Sequence, residues 1–92
     1  MVLTDNGKIQ KVNIYTAFSG DGGSTRFFIE LTNRLNEYGY DAMLFGPHEW
    51  HLDKCKSGLL SERVEINQPD NIVIGHMIPM VGRIRAKRKI LS

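Results

Sequence analysis

Gly20, Gly22 and Gly23 fall within four positions, in the stretch AFSGDGGSTRFF at residues 17–28. An apolar run precedes them and another follows. Glycine lets a backbone come close to a ligand because no Cβ intervenes. A glycine-rich turn that opens a helix also offers unpaired N–H groups and a partial positive charge, so the spacing suits an anion such as a phosphate. The competing reading is a tight turn with no ligand. Two phosphate-binding patterns fail here. The G-x-x-x-x-G-K-[ST] pattern has no lysine to use. The G-x-G-x-x-G pattern fits Gly20 and Gly22 but meets Thr25 in place of its third glycine, and the next apolar run ends in Phe45-Gly46-Pro47 without the acidic residue that reads a ribose. A nicotinamide-dependent dehydrogenase is therefore disfavoured.

Three other groups of residues could do chemistry. His76 ends the run DNIVIGH at residues 70–76 and suits an acceptor contact or proton handling; a hydrogen-bonded strand-end histidine is the plainer reading. His48, His51 and Cys55 stand at i, i+3 and i+7, one face of a helix, but a structural zinc site wants four ligands and no second cluster supplies the rest. A half-buried helix packed through Trp50 and Leu52 is the better account, and no metal site is assigned. Cys55 has no evident base to activate it as a nucleophile. Finally, Arg83, Arg85, Lys87, Arg88 and Lys89 are five of the twelve basic residues; the formal net charge is +2 and would be −3 without them. They read either as a solvated loop entering a last strand or as a surface for an anionic membrane or an acidic acceptor. No aromatic residue interleaves with them, which disfavours nucleic acid. The neighbouring MIPMV at residues 77–81 reads as core, or beside those charges as part of the same patch.

The elements that must position these residues follow from local patterning. Residues 1–11 read as an irregular leader with a turn at Asn6-Gly7. Residues 12–18, VNIYTAF, are β-branched and aromatic and read as a strand. Residues 24–38 read as a helix with Ser24 as N-cap and Gly39 at C′. Its apolar stripe is Phe27, Phe28, Leu31, Leu35 and Tyr38, and Glu30 with Arg34 forms a supporting i, i+4 pair. A strand over 42–45 starts after Asp41 and stops at Gly46-Pro47. A short helix over 48–56, an outer strand over 63–66, a turn at 68–71, a buried strand over 72–76, a loop with at most two helical turns over 77–84 and a strand over 88–92 complete the pattern. Strand, helix and strand within about 30 residues make a βαβ unit, and hence a parallel sheet.

With 92 residues the chain holds at most one domain, and its 41% hydrophobic and 24% charged content is that of a folded soluble protein. No apolar run approaches the ~20 residues of a bilayer span, and the start lacks the apolar core of a secretion signal. The single cysteine rules out an internal disulfide and points to the cytoplasm, with the basic cluster allowing association with a membrane's cytoplasmic face.

From Gly22 onward, GGSTRFFIELTNRLNEYGYDAMLFGP resembles the first βαβ unit of GT-B glycosyltransferases of the retaining, glycogen-synthase-like superfamily. Gly22-Gly23 stand at the family's glycine pair and Glu30-Leu31 at its E-L. Gly39-Tyr40-Asp41 stand at its G-H-E/D corner, with Tyr40 in place of histidine, and Met43-Leu44-Phe45 lead to Pro47. The run from Asp70 to His76 resembles a later strand, and Arg88 to Ser92 the next one. The likeness spans most of residues 12–92; its helix motif carries most of it.

The resemblance implies an α/β fold: a Rossmann-like open parallel sheet with flanking helices, as an incomplete GT-B N-terminal domain. It implies transfer of a sugar from a nucleotide diphosphate-sugar to a hydroxyl acceptor, with no metal or other cofactor. Gly22 and Gly23 would approach the donor phosphate or sugar, and Ser24 and His76 would line the acceptor cleft. The donor domain with its glutamate pair is missing, so no catalytic residue is assigned and the chain alone is expected to be inactive. A run that stops at Ser92 in mid-strand fits part of a longer protein. The alternatives are a free-standing Rossmann-like or flavodoxin-like module binding a nucleotide or protein without catalysis, and a structural domain with no ligand.

Overall fold

The computed structural model describes residues 9–17, 23–46, 55–59, 65–76 and 78–91. Strand β1 spans Lys11–Thr16, helix α1 Gly23–Glu37, strand β2 Asp41–Gly46, strand β3 Ser57–Leu59, strand β4 Asn67–His76 and strand β5 Arg85–Leu91; a 3₁₀ turn, Pro79–Arg83, precedes β5. All five strands are parallel, in the order β3-β2-β1-β4-β5. The chain steps outward from β1 through β2 to β3 and then returns to place β4 on the other side of β1. This is the Rossmann-like order and not the flavodoxin-like one, in which β1 lies between β2 and β3.

Consecutive residues of β1 feed opposite faces. Val12 and Ile14 pack with Phe28, Ala42, Leu44 and Cys55 under α1. Tyr15 packs with Val73, Val81 and Ile84 on the other face, beneath the 3₁₀ turn. A strand covered on both faces does not alternate apolar with charged residues, and the polar Asn13 within it is hydrogen-bonded to Gln68. The expected flanking helices reduce, among the described residues, to α1 on one face and the 3₁₀ turn on the other. The parallel crossover from β4 to β5 thus contains no α-helix among its described residues 78–84, where a dozen or more residues are usual.

The ends of α1 are set by its sequence. Tyr40 N–H donates to the Leu35 carbonyl (3.0 Å) and Gly39 N–H to that of Asn36 (3.2 Å), a Schellman closure with Gly39 at φ 96°. Alanine at Gly39 would have to hold this left-handed conformation, so Gly39→Ala is expected to lower stability by about 1 kcal/mol. A thermal melt showing no loss would sink that account. Asn36 then clamps the helix to β2: its Nδ2 donates to the Ala42 carbonyl (3.0 Å) and its Oδ1 accepts from Ala42 N–H (2.8 Å). It satisfies the outer edge of β2 where β3 has not yet begun.

Several expectations need correction. The helix starts at Gly23, so Ser24 lies within its first turn and is not the N-cap. Phe27 and Tyr38 are 59% and 64% exposed and leave the apolar stripe, which instead runs through Phe28, Leu31, Thr32 and Leu35. Thr32 can be buried because its Oγ1 donates to the Phe28 carbonyl at 2.7 Å. Glu30 and Arg34 form no ion pair; among the described residues that contact is made only by Lys56 and Asp41, both partly exposed and worth little. The leader ends earlier than expected, because Gln10 is buried and Lys11 is already in β1.

The expected helix over 48–56 gives way at Cys55 and Lys56 to a bend that leads into β3, and residues 48–54 lie outside the described residues. The expected outer strand over 63–66 is absent at Glu65 and Ile66, which lead directly into β4, and residues 63 and 64 lie outside the described residues. The expected turn at 68–71 is part of β4. There the pairing with β5 is irregular between Gln68 and Ile72, which accommodates Pro69 without a missing ladder bond.

Candidate functional site

In an open parallel sheet, ligands bind beyond the carboxyl ends of the strands where the strand order reverses. Here that point lies between β1 and β4. Thr16 and His76 are register partners at its rim. The chain leaves β1 at Thr16 and enters α1 at Gly23, so the helix N-terminus stands at the same rim. The sequence-predicted Gly23 and His76 are thus brought to one edge. Gly22 lies outside the described residues, as do His48 and His51.

His76 is held from two sides. Its ring tilts against Phe28, with centroids 5.1 Å apart and planes at 45°. The preceding residue, Gly75, faces the opposite way and meets the 3₁₀ turn: a Cβ built there would sit 2.8 Å from both methyl groups of Val81. Only glycine fits that approach, so the close of β4 is pinned between helix and turn. Sequence reasoning named His76 but not Thr16, which is buried beside it. A glycine inside an apolar strand is the signal of a close backbone approach that could have pointed to Gly75.

A second polar group lies lower on the face away from α1. Gln68 is buried, yet every hydrogen-bonding position of its side chain is used. Its Oε1 accepts from Asn13 Nδ2 (2.8 Å) and Asn71 Nδ2 (3.1 Å). Its Nε2 donates to Tyr15 Oη (3.1 Å) and to the Glu65 carbonyl (2.6 Å). Gln10, also buried, donates to the carbonyls of Lys11 and Asp70, both at 2.9 Å, and accepts from Lys87 Nζ at 3.3 Å. These two amides hold β1 to β4 where the ladder to β5 is irregular, and their bonding within the sheet marks them as structural.

Cys55 belongs to the core under α1, and burial pushes its thiol above the ordinary value of 9.0. That is the opposite of an activated nucleophile. Among the described residues no three histidine, cysteine or acidic side chains could share a metal ion. Burial likewise raises Tyr15 above 10.0, partly offset by the hydrogen bond from Gln68. Both groups keep their protons to higher pH when folded than when unfolded. The stability this supplies is complete below the unfolded values and is lost as pH rises through the folded ones. Melting temperature is therefore expected to fall on going from pH 8 through pH 9 and 10, more gently in Cys55→Ala and Tyr15→Phe. Identical slopes in the variants would refute the assignment.

Four of the five clustered basic residues lie within β5 and not in a loop before it; Arg83 ends the 3₁₀ turn. All five are exposed. Regular alternation does not run through β5: Ala86 packs beneath the 3₁₀ turn, and past the irregular segment Lys89, the register partner of Val73, lies on that same face and donates from Nζ to the Gly82 carbonyl at 2.9 Å. On an edge strand such charges oppose pairing with other sheets. No helix among the described residues is long and apolar enough to cross a membrane.

The chain matches no family model, and no curated protein or solved structure shows significant similarity to it.

Proposed function

We propose that this chain is the acceptor-side, Rossmann-like part of a glycosyltransferase that moves a sugar from a nucleotide diphosphate-sugar to a hydroxyl acceptor. The observation that carries the reading is the meeting of Gly23, Thr16 and His76 at the β1–β4 reversal of a β3-β2-β1-β4-β5 sheet. The helix that opens at Gly23 offers its N–H groups to a donor phosphate. In this reading Gly22 and Gly23 lie against the diphosphate or transferred sugar, and Ser24 and His76 face the acceptor. A donor-binding domain completes the site, so the chain alone does not turn over. The basic residues of β5 and Arg83 serve as a peripheral contact with anionic lipid.

The test is the mass and activity of the native polypeptide, captured with an antibody against this region. The expected result is a species several times 10.5 kDa that releases nucleoside diphosphate when given a nucleotide-sugar and an acceptor. A native species of 10.5 kDa would overturn the transferase reading and leave a small Rossmann-like binding module.

A further inference from the structure

Phe27 is 59% exposed although it lies on the only described α-helix, one residue before the buried Phe28. Its ring is not isolated. It stands edge-on to Phe28, with centroids 5.2 Å apart and planes at 80°, and Phe28 in turn tilts on His76 at 5.1 Å. Three rings therefore run in series from solvent to the carboxyl end of β4. Tyr38, the other exposed aromatic residue of this region, stands beyond the far end of α1 and away from the crevice. Three residues after Phe27, on the same side of the helix, comes Glu30. Its exposed carboxylate has no ion-pair or hydrogen-bond partner among the described residues.

We propose that Phe27 and Glu30 form a subsite for a neutral sugar ring of the acceptor, one unit removed from the hydroxyl that reacts near His76. The proposal rests on the acceptor-side reading above. An aromatic face is electron-rich and matches the C–H face of a pyranose. A carboxylate beside it accepts hydrogen bonds from the hydroxyls at the sugar's rim, and these charge-assisted bonds are the stronger kind. The same carboxylate repels a nucleotide's phosphates, which have a better place at the start of α1. The occupant is thus a disaccharide or longer glycan, and the ring series links its outer unit to the crevice.

The full 92-residue chain labelled with ¹⁵N tests this by amide shifts on titration with maltose, cellobiose, lactose and α-1,6-mannobiose, with uridine monophosphate as the contrasting probe. At least one disaccharide is expected to move the Phe27 and Glu30 amides. Phe27→Ala should weaken it about three- to tenfold, while Phe27→Tyr and the wild type agree. Glu30→Gln should weaken it less. Because Phe27 is exposed, the alanine variant is expected to keep the wild-type spectrum elsewhere. The subsite is overturned if no disaccharide moves these amides, if Phe27→Ala binds as well as wild type, or if uridine monophosphate occupies the same residues. Its failure differs from that of the transferase reading. A large, active native enzyme whose acceptor KM ignores Phe27→Ala removes the subsite alone; disaccharide binding by a native 10.5 kDa protein keeps the subsite and removes the transferase.

Discussion

Gly75→Ala is expected to be among the most damaging single-methyl additions in this protein. The new Cβ would stand 2.8 Å from both methyls of Val81 and 2.9 Å from its Cβ, nearer than side chains approach one another. Val81 is fully buried and Gly75 lies in a strand paired on both sides, so neither can retreat cheaply. Overpacking of this kind costs about 1–3 kcal/mol. In a domain of this size each kcal/mol lowers the melting temperature by roughly 4–8 °C. Gly75→Val should therefore leave little folded protein at 37 °C, given total stabilities of about 5–15 kcal/mol. Gly82 is the internal control: a Cβ there meets nothing within 4 Å, and Gly82→Ala should change stability by less than about 0.5 kcal/mol. Pairing Gly75→Ala with Val81→Ala should recover part of the loss, because the cavity left by one change accepts the methyl of the other. If the double variant is as unstable as the sum of the singles, the clash is not the cause. The same experiment bears on function, since the turn that Val81 anchors fixes the backbone just before His76.

The second large effect is expected at Gln68. Gln68→Leu keeps the volume roughly but removes four hydrogen bonds at once. It strands the amides of Asn13 and Asn71 and the Glu65 carbonyl beside an apolar side chain. An orphaned buried polar group costs about 1–3 kcal/mol, against about 1 for an ordinary hydrogen bond lost with both partners. Partial access to water at Asn13 and Asn71 moderates the sum, so a loss of about 2–4 kcal/mol in urea unfolding is expected. Tyr15→Phe removes one of these bonds alone and should cost about 1 kcal/mol. A Gln68→Leu variant no weaker than Tyr15→Phe would mean that the amide hub contributes nothing beyond one bond. Local damage should concentrate where β4 and β5 lose regular pairing, and hydrogen exchange at Asn67–Ile72 would report it first.

The sequence by itself determined the βαβ unit. VNIYT, residues 12–16, is rich in β-branched and aromatic residues because β1 is covered on both faces, and the helix after the glycines carries its own stop in Gly39, whose φ of 96° is required by the closure that Tyr40 completes. Those signals are local: each element is written in the residues that form it. The identity of His76 as a strand-end group was legible for the same reason, and the helix after the glycines was read with its start one residue late, at Ser24 instead of Gly23.

What only the tertiary structure decided is who stands beside whom. The 3.6-residue period admits both Phe27 and Phe28 to one stripe; the position of the sheet buries the second and exposes the first. Pro69 and Asp70 read as a turn because local propensity has no knowledge of the neighbouring β1, whose pairing with β4 and whose Asn13, bonded to Gln68, help carry an irregular strand through them. β3 is three residues long and carries no period of its own, and exists because Lys56 and Ser57 meet the open edge of β2. The order β3-β2-β1-β4-β5, which puts the reversal next to Gly23 and His76, depends on contacts far apart in the chain. Periodicity and capping act over a few residues; the choice of neighbour is made by packing, and it is packing that assembles the candidate site.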